Sequence, residues 1–309
     1  MFQGEHFILP VGTAVVVLTE TRDVTGKPLH AAGAIATIIK SPVAVGSAGA
    51  VGGRYRVRFY DGVEEMVDRR GLEVLSRYQL GEMVSGDEKG LWGCVIYRCV
   101  IGSRAYGLED EDSDTDTRGI FLPPADAYWS LTGVPDVLEN DATQEAYWEA
   151  KRFISLALRA NPNVLECLYS PLVQASSPIA EALISIRGKL LSKLVYQTYS
   201  GYVASQFKKI QSDVRNQGAV KWKHAMHLLR LQLAGVHILK TGHVEVKVAE
   251  HRERLLAVKR GEIPFDECDR WRLQLSQRME EAVTVSPLPD RPDYAAANQW
   301  LLQARRSSL

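Results

Sequence analysis

The residues best equipped for chemistry lie in one stretch, Gly102–Ile120, which reads GSRAYGLEDEDSDTDTRGI. An apolar run, Cys94–Ile101, ends directly on Gly102-Ser103, and a second short run, Arg118–Leu122, begins just after Asp114-Thr115-Asp116. A strand turns alternate side chains to one face, so carboxylates two residues apart on a strand project together, with Cα atoms about 7 Å apart. Two such carboxylates can grip Mg²⁺, which prefers a few carboxylates plus phosphate oxygens and water to an all-protein cage. Gly102 lets the backbone come close to a phosphate, and the N–H and hydroxyl of Ser103 can bind phosphate oxygens. The parts describe a site for a nucleoside triphosphate with Mg²⁺, or Mn²⁺ in its place, and for in-line attack on the α-phosphate. Asp-x-Asp alone is usually solvated surface. Gly-Ser at the end of an apolar strand, followed eleven residues later by Asp-x-Asp, is far more specific.

The elements that must position these residues can be read from periodicity. Residues 1–78 read as β. Gly12–Leu18, Gly33–Ile39 and Tyr55–Tyr60 are short, β-branched and bounded by turn residues. Asp61-Gly62 between Tyr55–Tyr60 and Val63–Val67 is a hairpin signal, and Ser47–Gly53 reads as a flexible loop. Five or so strands in this space predict a small SH3-like barrel. Residues 79–92 form a polar bridge. Strands at Cys94–Ile101, Arg118–Leu122 and near Glu145–Trp148 follow, and the period then turns helical at Phe153, Leu156, Ala157 and Ala160. Asn161-Pro162 breaks that helix. From 178 onward the pattern is helical, over Ile179–Ile186, Leu190–Gln211, Lys221–Thr241, Glu250–Arg260, Asp266–Val283 and Tyr294–Arg305, with Gly242 and Gly261 where C-caps belong.

Hydrophobic residues make up 46% of the 309 and charged residues 24%, as in an ordinary soluble globular protein. No apolar run reaches the roughly 18 residues of a membrane helix, and the opening MFQGEHFILPVG lacks the basic region of a secretory signal. Cys94, Cys99, Cys167 and Cys268 are scattered without a CxxC pair, which points to a reducing cytoplasm and to neither disulfide framework nor zinc knuckle. Formal net charge is zero, but residues 101–150 hold twelve acids against two arginines and residues 201–260 hold twelve Lys/Arg against four acids. That asymmetry suits a divalent cation at one segment and a polyanion at the other, or two solvated surfaces that partly neutralise each other.

The Gly102–Ile120 stretch resembles the signature of the DNA polymerase beta superfamily of nucleotidyltransferases, in particular a bacterial and phage branch linked to RNA repair that reads GSxAYG…SDxDxRG. Gly102, Ser103, Ala105, Tyr106, Gly107, Ser113, Asp114, Asp116, Arg118 and Gly119 match. So does a (K/R)F…LAL…NPNVLE.L segment through Arg152, Phe153, Leu156–Leu158, Asn161–Glu166 and Leu168. The basic helix resembles the branch at Lys223, His224, His227, Leu228 and Arg230. The resemblance covers roughly 94–265 and leaves out the N-terminal barrel. Together with the SH3-like barrel read from the strand pattern over 1–78, it implies an α+β chain with a nucleotidyltransferase core of mixed sheet over 79–175 and a helical region over 176–309.

The resemblance also implies a third carboxylate from a neighbouring strand, often the general base. Asp141, Glu145 and Glu149 share one strand face by parity; Glu149 best fits the position before the (K/R)F pair and Glu145 is second, though Glu149 also suits a helix N-terminus. The implied reaction moves a nucleoside monophosphate from an NTP to a hydroxyl with release of pyrophosphate. Asp114 and Asp116 hold the metal, and Gly102-Ser103 cradle the β- and γ-phosphates. Arg104 and Arg118 either contact phosphate or neutralise the acids beside them. Lys223, His227 and Arg230 share a helix face suited to a nucleotide, or form an ordinary charged surface. The acceptor is open among an RNA end, a protein side chain and a small molecule, with RNA favoured by the basic segment. Two rivals stand: a nucleotide-sensing or antitoxin-like module without turnover, and an RNA-binding protein.

Overall fold

In the computed structural model, the alternating run RYRVRF becomes a strand that buries Tyr55, Val57 and Phe59 and exposes Arg54, Arg56 and Arg58. The structure describes residues 9–22, 27–41, 54–75, 78, 88–110, 113–217 and 220–309. The chain divides into two units, Met1–Glu88 and Lys89–Leu309.

The first unit contains β1 (Ala14–Val17), β2 (Thr21–Arg22), β3 (Pro28–His30), β4 (Ile35–Lys40), β5 (Arg54–Phe59), β6 (Glu64–Asp68) and β7 (Leu72–Val74). The Asp61-Gly62 hairpin forms as its residues dictate. Val63 N donates to Asp61 Oδ1 at 3.0 Å, Phe59 N donates to Val63 O, and β5 pairs antiparallel with β6 from Arg54↔Asp68 to Arg58↔Glu64. Five strands make one antiparallel sheet in the order β6-β5-β4-β1-β7. β6 and β7 are its edges among the described residues, so the sheet does not close and the expected SH3-like barrel is not formed by it. The Ser47–Gly53 loop lies outside the described residues.

The second unit holds the chemistry. Its sheet takes β8 (Val95–Ile101), β9 (Asp116–Phe121), β10 (Val137–Asn140), β11 (Glu145–Glu149) and β12 (Val173–Ser176) in the order β10-β11-β9-β8-β12. The β9–β11 pairing is parallel and the others are antiparallel, which gives a mixed sheet. One face, carrying Tyr97, Cys99, Ile101 and Ile120, packs into a large core with Phe153, Leu165 and Leu168. The other, carrying Phe121, Leu138 and Tyr147, covers a small cluster with Leu91.

Short helices α1 (Glu88–Trp92), α2 (Ser103–Tyr106) and α3 (Ala125–Trp129) connect the strands. Glu149 caps α4 (Ala150–Ala157), and Asn161 caps α5 (Pro162–Tyr169), where proline at the first position needs no N–H partner. The helices α6 (Pro178–Ser185), α7 (Leu194–Gln217), α8 (Trp222–Thr241), α9 (Arg252–Lys259), α10 (Phe265–Thr284) and α11 (Tyr294–Ser307) follow. Helix α8 lies at the centre of the helical region, against α7, α9 and α10, and buries Leu228, Leu229, Leu231, Ile238 and Leu239. Gly242 ends it in the left-handed conformation. None of the helices among the described residues is long and apolar enough to cross a membrane.

Candidate active site

The strand β8 ends at Ile101, which pairs with Asp116 at the start of β9. This register carries Gly102 to the side of Asp116. Gly102 adopts φ 76° and ψ −157°, a backbone open to glycine and strained for other residues. A Cβ built there would lie 2.6 Å from Asp116 Oδ2, so the carboxylate occupies the space a side chain would need. The one-turn helix α2 follows at once and stops at Gly107, again left-handed at φ 70°. Ser103 opens this turn with its hydroxyl unpaired among the described residues.

Asp116 is oriented from both sides. Arg118 Nη2 donates to its Oδ1 at 3.2 Å, and Arg118 Nη1 is fixed in turn by Gln144 O at 2.7 Å and Thr117 O at 2.9 Å. Arg118 therefore holds Asp116 in place, the structural role of the two weighed above. Asp114 lies two residues before β9 begins, exposed and without a hydrogen bond or ion pair among the described residues. The preceding loop is pinned. Arg104 Nη2 donates to Ser113 O at 2.8 Å, the Ser113 hydroxyl donates to Asp110 Oδ1, and Lys259 Nζ meets Asp110 Oδ2 at 2.7 Å. The bond from Lys259, followed by that from Ser113, lowers the Asp110 pKa to about 2.

The two candidates for a third carboxylate lie elsewhere. In the parallel register Glu145 faces Thr117, the neighbour of Asp116, so it projects from the opposite face of the sheet. There it accepts from the Tyr147 hydroxyl at 2.9 Å and Thr143 Oγ1 at 2.9 Å, with Arg98 3.6 Å away. Glu149 pairs in register with Phe121, five residues along β9 from Asp116, a separation of roughly 16 Å at the rise of a strand. Its buried carboxylate accepts from the N–H groups of Lys151 and Arg152 and forms an ion pair with Arg305 of α11, whose guanidinium stacks over Tyr128. This register brings neither Glu149 nor Glu145 to Asp116. Glu149 is a helix cap with a buried counter-ion, and Glu145 shares its strand face as parity has it, but that face is the one opposite Asp116. Among the described residues no three His, Cys, Asp or Glu side chains gather as a metal cage. The donor set at Asp114 and Asp116 instead fits a hard cation that keeps water and takes further oxygens from a bound phosphate.

The basic helix also divides. Lys223 is exposed and without a partner among the described residues. Lys221 and His224 are drawn to Asp213 of α7, each at 3.4 Å. His227 is held neutral, its pKa brought down to about 3 by burial first and then by Arg230 and the other cations on its helix. Arg230 is 2% exposed and unavailable as a surface ligand. Its Nη1 donates to Glu166 Oε1 at 2.7 Å, and its guanidinium lies 3.7 Å from the Tyr106 ring centroid. Tyr106 donates its hydroxyl to Glu166 Oε2 at 2.5 Å. Burial works against the charge of Arg230, but Glu166 and Tyr106 more than offset it and its pKa rises.

This triad is what sequence reasoning missed. Tyr106 comes from GSRAYG, Glu166 from NPNVLE and Arg230 from the basic helix, so three distant segments meet beneath α2. The available signal was an acid embedded among Val164, Leu165, Cys167 and Leu168, all buried, where an unpaired carboxylate would be costly. A second brace comes from the far side: Val248 N donates to Tyr106 O at 2.9 Å and Arg252 Nε to Gly107 O at 2.7 Å.

An uncharacterized protein, YcgL, of Bacillus subtilis (strain 168) is 30% identical over 154 residues, which is 48% of this chain and 58% of that relative. A crystal structure of a nucleotidyltransferase-like protein from Exiguobacterium sibiricum 255-15 overlaps 75% of this chain and 79% of its own at 12% identity and a TM-score of 0.26, too slight a likeness to bear on the fold. Residues 74–303 match RlaP, described as the RNA repair pathway DNA polymerase beta family, and with well over half of the sequence matched, from the Gly-Ser turn through the helices that brace it, the chain belongs to that family.

Proposed function

We propose that this protein is a nucleotidyltransferase that moves a nucleoside monophosphate from an NTP to a hydroxyl, releases pyrophosphate, and takes an RNA end as acceptor. The observation that supports this best is the seating of Asp116 against Gly102, beside an unpaired Ser103 and two residues from an unpaired Asp114. Carboxylate oxygens and the first N–H groups of α2 then lie within one turn of each other. Family membership supports the reaction class, and the family's description supports RNA.

Asp114 and Asp116 would hold Mg²⁺ or Mn²⁺, which when bound offsets phosphate charge and favours the deprotonated form of an attacking hydroxyl. Ser103 and the first N–H groups of α2 bind phosphate oxygens. Arg118 keeps Asp116 from rotating away, and the Tyr106–Glu166–Arg230 triad keeps α2 at a fixed height over the sheet. Such pre-positioning is worth several kcal/mol in transfer reactions. Of Lys223, His227 and Arg230, Lys223 is the cation left for a nucleotide or strand among the described residues.

The test is pyrophosphate release with each NTP and Mg²⁺, with and without RNA, together with transfer of an α-phosphate label. Wild type should label RNA, and Asp114→Asn/Asp116→Asn should lose at least a hundredfold in rate. Nucleotide binding without turnover in wild type would instead support a sensor. Salt-dependent RNA binding that ignores both substitutions would support a binding protein.

A further inference from the structure

A cavity of about 410 Å³ opens along the C-terminal half of α8, walled by that helix, by residues 245–251 and by Arg278 of α10. Within segment 245–251, Val248 N donates to Tyr106 O at the end of α2. Lys247 lies against Gly107, where a Cβ would meet its Cε at 3.5 Å.

The charges around this cavity do not balance. Lys240, Lys247 and Arg278 are exposed and have no ion pair among the described residues. Of the two acids on the wall, Glu245 has only His237 nearby, at 3.6 Å, and Glu250 has no ion pair among the described residues. Three permanent cations against two carboxylates leave a surplus near +1, which favours an anionic ligand such as a phosphate monoester. Arg230 also reaches this wall. It is 2% exposed, and its Nε is a buried donor without a partner. Leu233, Ala234 and Val246 give the wall an apolar part beside His237, Thr241 and His251, and the volume falls in the range of small-ligand sites. A cationic rim over an apolar floor suits a phosphate attached to a flat, weakly polar ring system.

We propose that this cavity is a second binding site, separate from the Gly102–Asp116 site, for a phosphorylated nucleotide unit, either free or at the 5′ end of an RNA strand. It requires no turnover at the aspartate pair.

The experiment uses the full chain with 8-azido-AMP as a photoprobe and AMP as competitor, alongside a 5′-phosphorylated tetraribonucleotide and its 5′-hydroxyl form. The label should fall on peptides holding residues 240–251 or 278. Lys247→Glu and Arg278→Glu should each weaken binding at least tenfold, while Asp114→Asn/Asp116→Asn leaves it unchanged and abolishes pyrophosphate release. Tighter binding of the 5′-phosphorylated oligomer than of AMP or the 5′-hydroxyl form identifies the strand end as the ligand. Equal or tighter binding of AMP identifies the free nucleotide. Circular dichroism confirms folding, and either charge reversal suffices alone if the other unfolds. No saturable binding of any probe, labelling confined to residues 102–116, or indifference to both reversals overturns the proposal. Those results leave the aspartate-dependent reaction standing, so the two readings fail separately.

Discussion

Replacing Glu166 by glutamine tests the buried triad most directly. Glu166 and Arg230 are each 2% exposed, joined by a 2.7 Å bond, and Glu166 also accepts the Tyr106 hydroxyl at 2.5 Å. Glutamine keeps the shape but offers one carbonyl oxygen to two donors and turns an NH₂ toward the other. Tyr106 can still accept from that NH₂, so its contact is weakened and not lost. Arg230 has no such recourse. Its Nε is already unpartnered, and Glu166 is its only ion-pair partner among the described residues. Removing one member of a buried pair costs about 3–5 kcal/mol. At about 2–4 °C per kcal/mol for a unit of this size, Tm should fall on the order of 10 °C. Replacing both, as Glu166→Leu with Arg230→Met, removes the stranded charge, and such exchanges are often neutral or stabilising. The double variant should therefore melt closer to wild type than the single one. It should still lose turnover, because the Tyr106 hydroxyl loses its acceptor and α2 keeps only the brace from Val248 and Arg252. Thermal melts by circular dichroism and pyrophosphate release on the same preparations give both readings. A Glu166→Gln cost below about 1 kcal/mol, or a double variant as unstable as the single one, would refute the reasoning.

Further outcomes follow from the same geometry. Gly102→Ala should lower turnover at least a hundredfold with a stability loss of about 1–3 kcal/mol, because the new Cβ meets Asp116 Oδ2 at 2.6 Å in a backbone with φ 76°; turnover assays and melts check both numbers. Glu149→Gln should lower Tm by stranding Arg305 yet leave the rate per folded molecule within a few-fold, and Glu145→Gln should also stay within a few-fold; a hundredfold loss in either would restore it as the third carboxylate. His227 should show no NMR titration between pH 5 and 8. Its folded pKa of about 3 lies below the unfolded value, so the unfolded chain binds the extra proton and stability falls as pH drops from about 6.5 toward 3; His227→Gln should flatten that slope in pH-dependent denaturation.

Much of the fold was legible because it depends on local chemistry. Strand alternation at Arg54–Phe59, the Asp61-Gly62 turn, the Asn161-Pro162 break and the Gly242 cap each act within a few residues, and each appears where the pattern put it. The Gly-Ser turn and Asp116 were legible for the same reason, since an antiparallel return between β8 and β9 must bring the end of one strand beside the start of the next. Closure of the N-terminal sheet was not legible, because it depends on which edge strands meet.

The sequence by itself determined the element types, the positive-φ glycines and the pair of aspartates, all of which follow from side-chain shape and spacing along the chain. Only the tertiary structure decided that neither Glu145 nor Glu149 stands beside Asp116, and which cations of the basic helix are paired. Parity along β11 is intrinsic, but the face it presents depends on its register with β9, and one residue of register exchanges the two faces. Arg230 likewise reads as a surface cation until α5 and α2 close over it, and then burial obliges it to pair with Glu166.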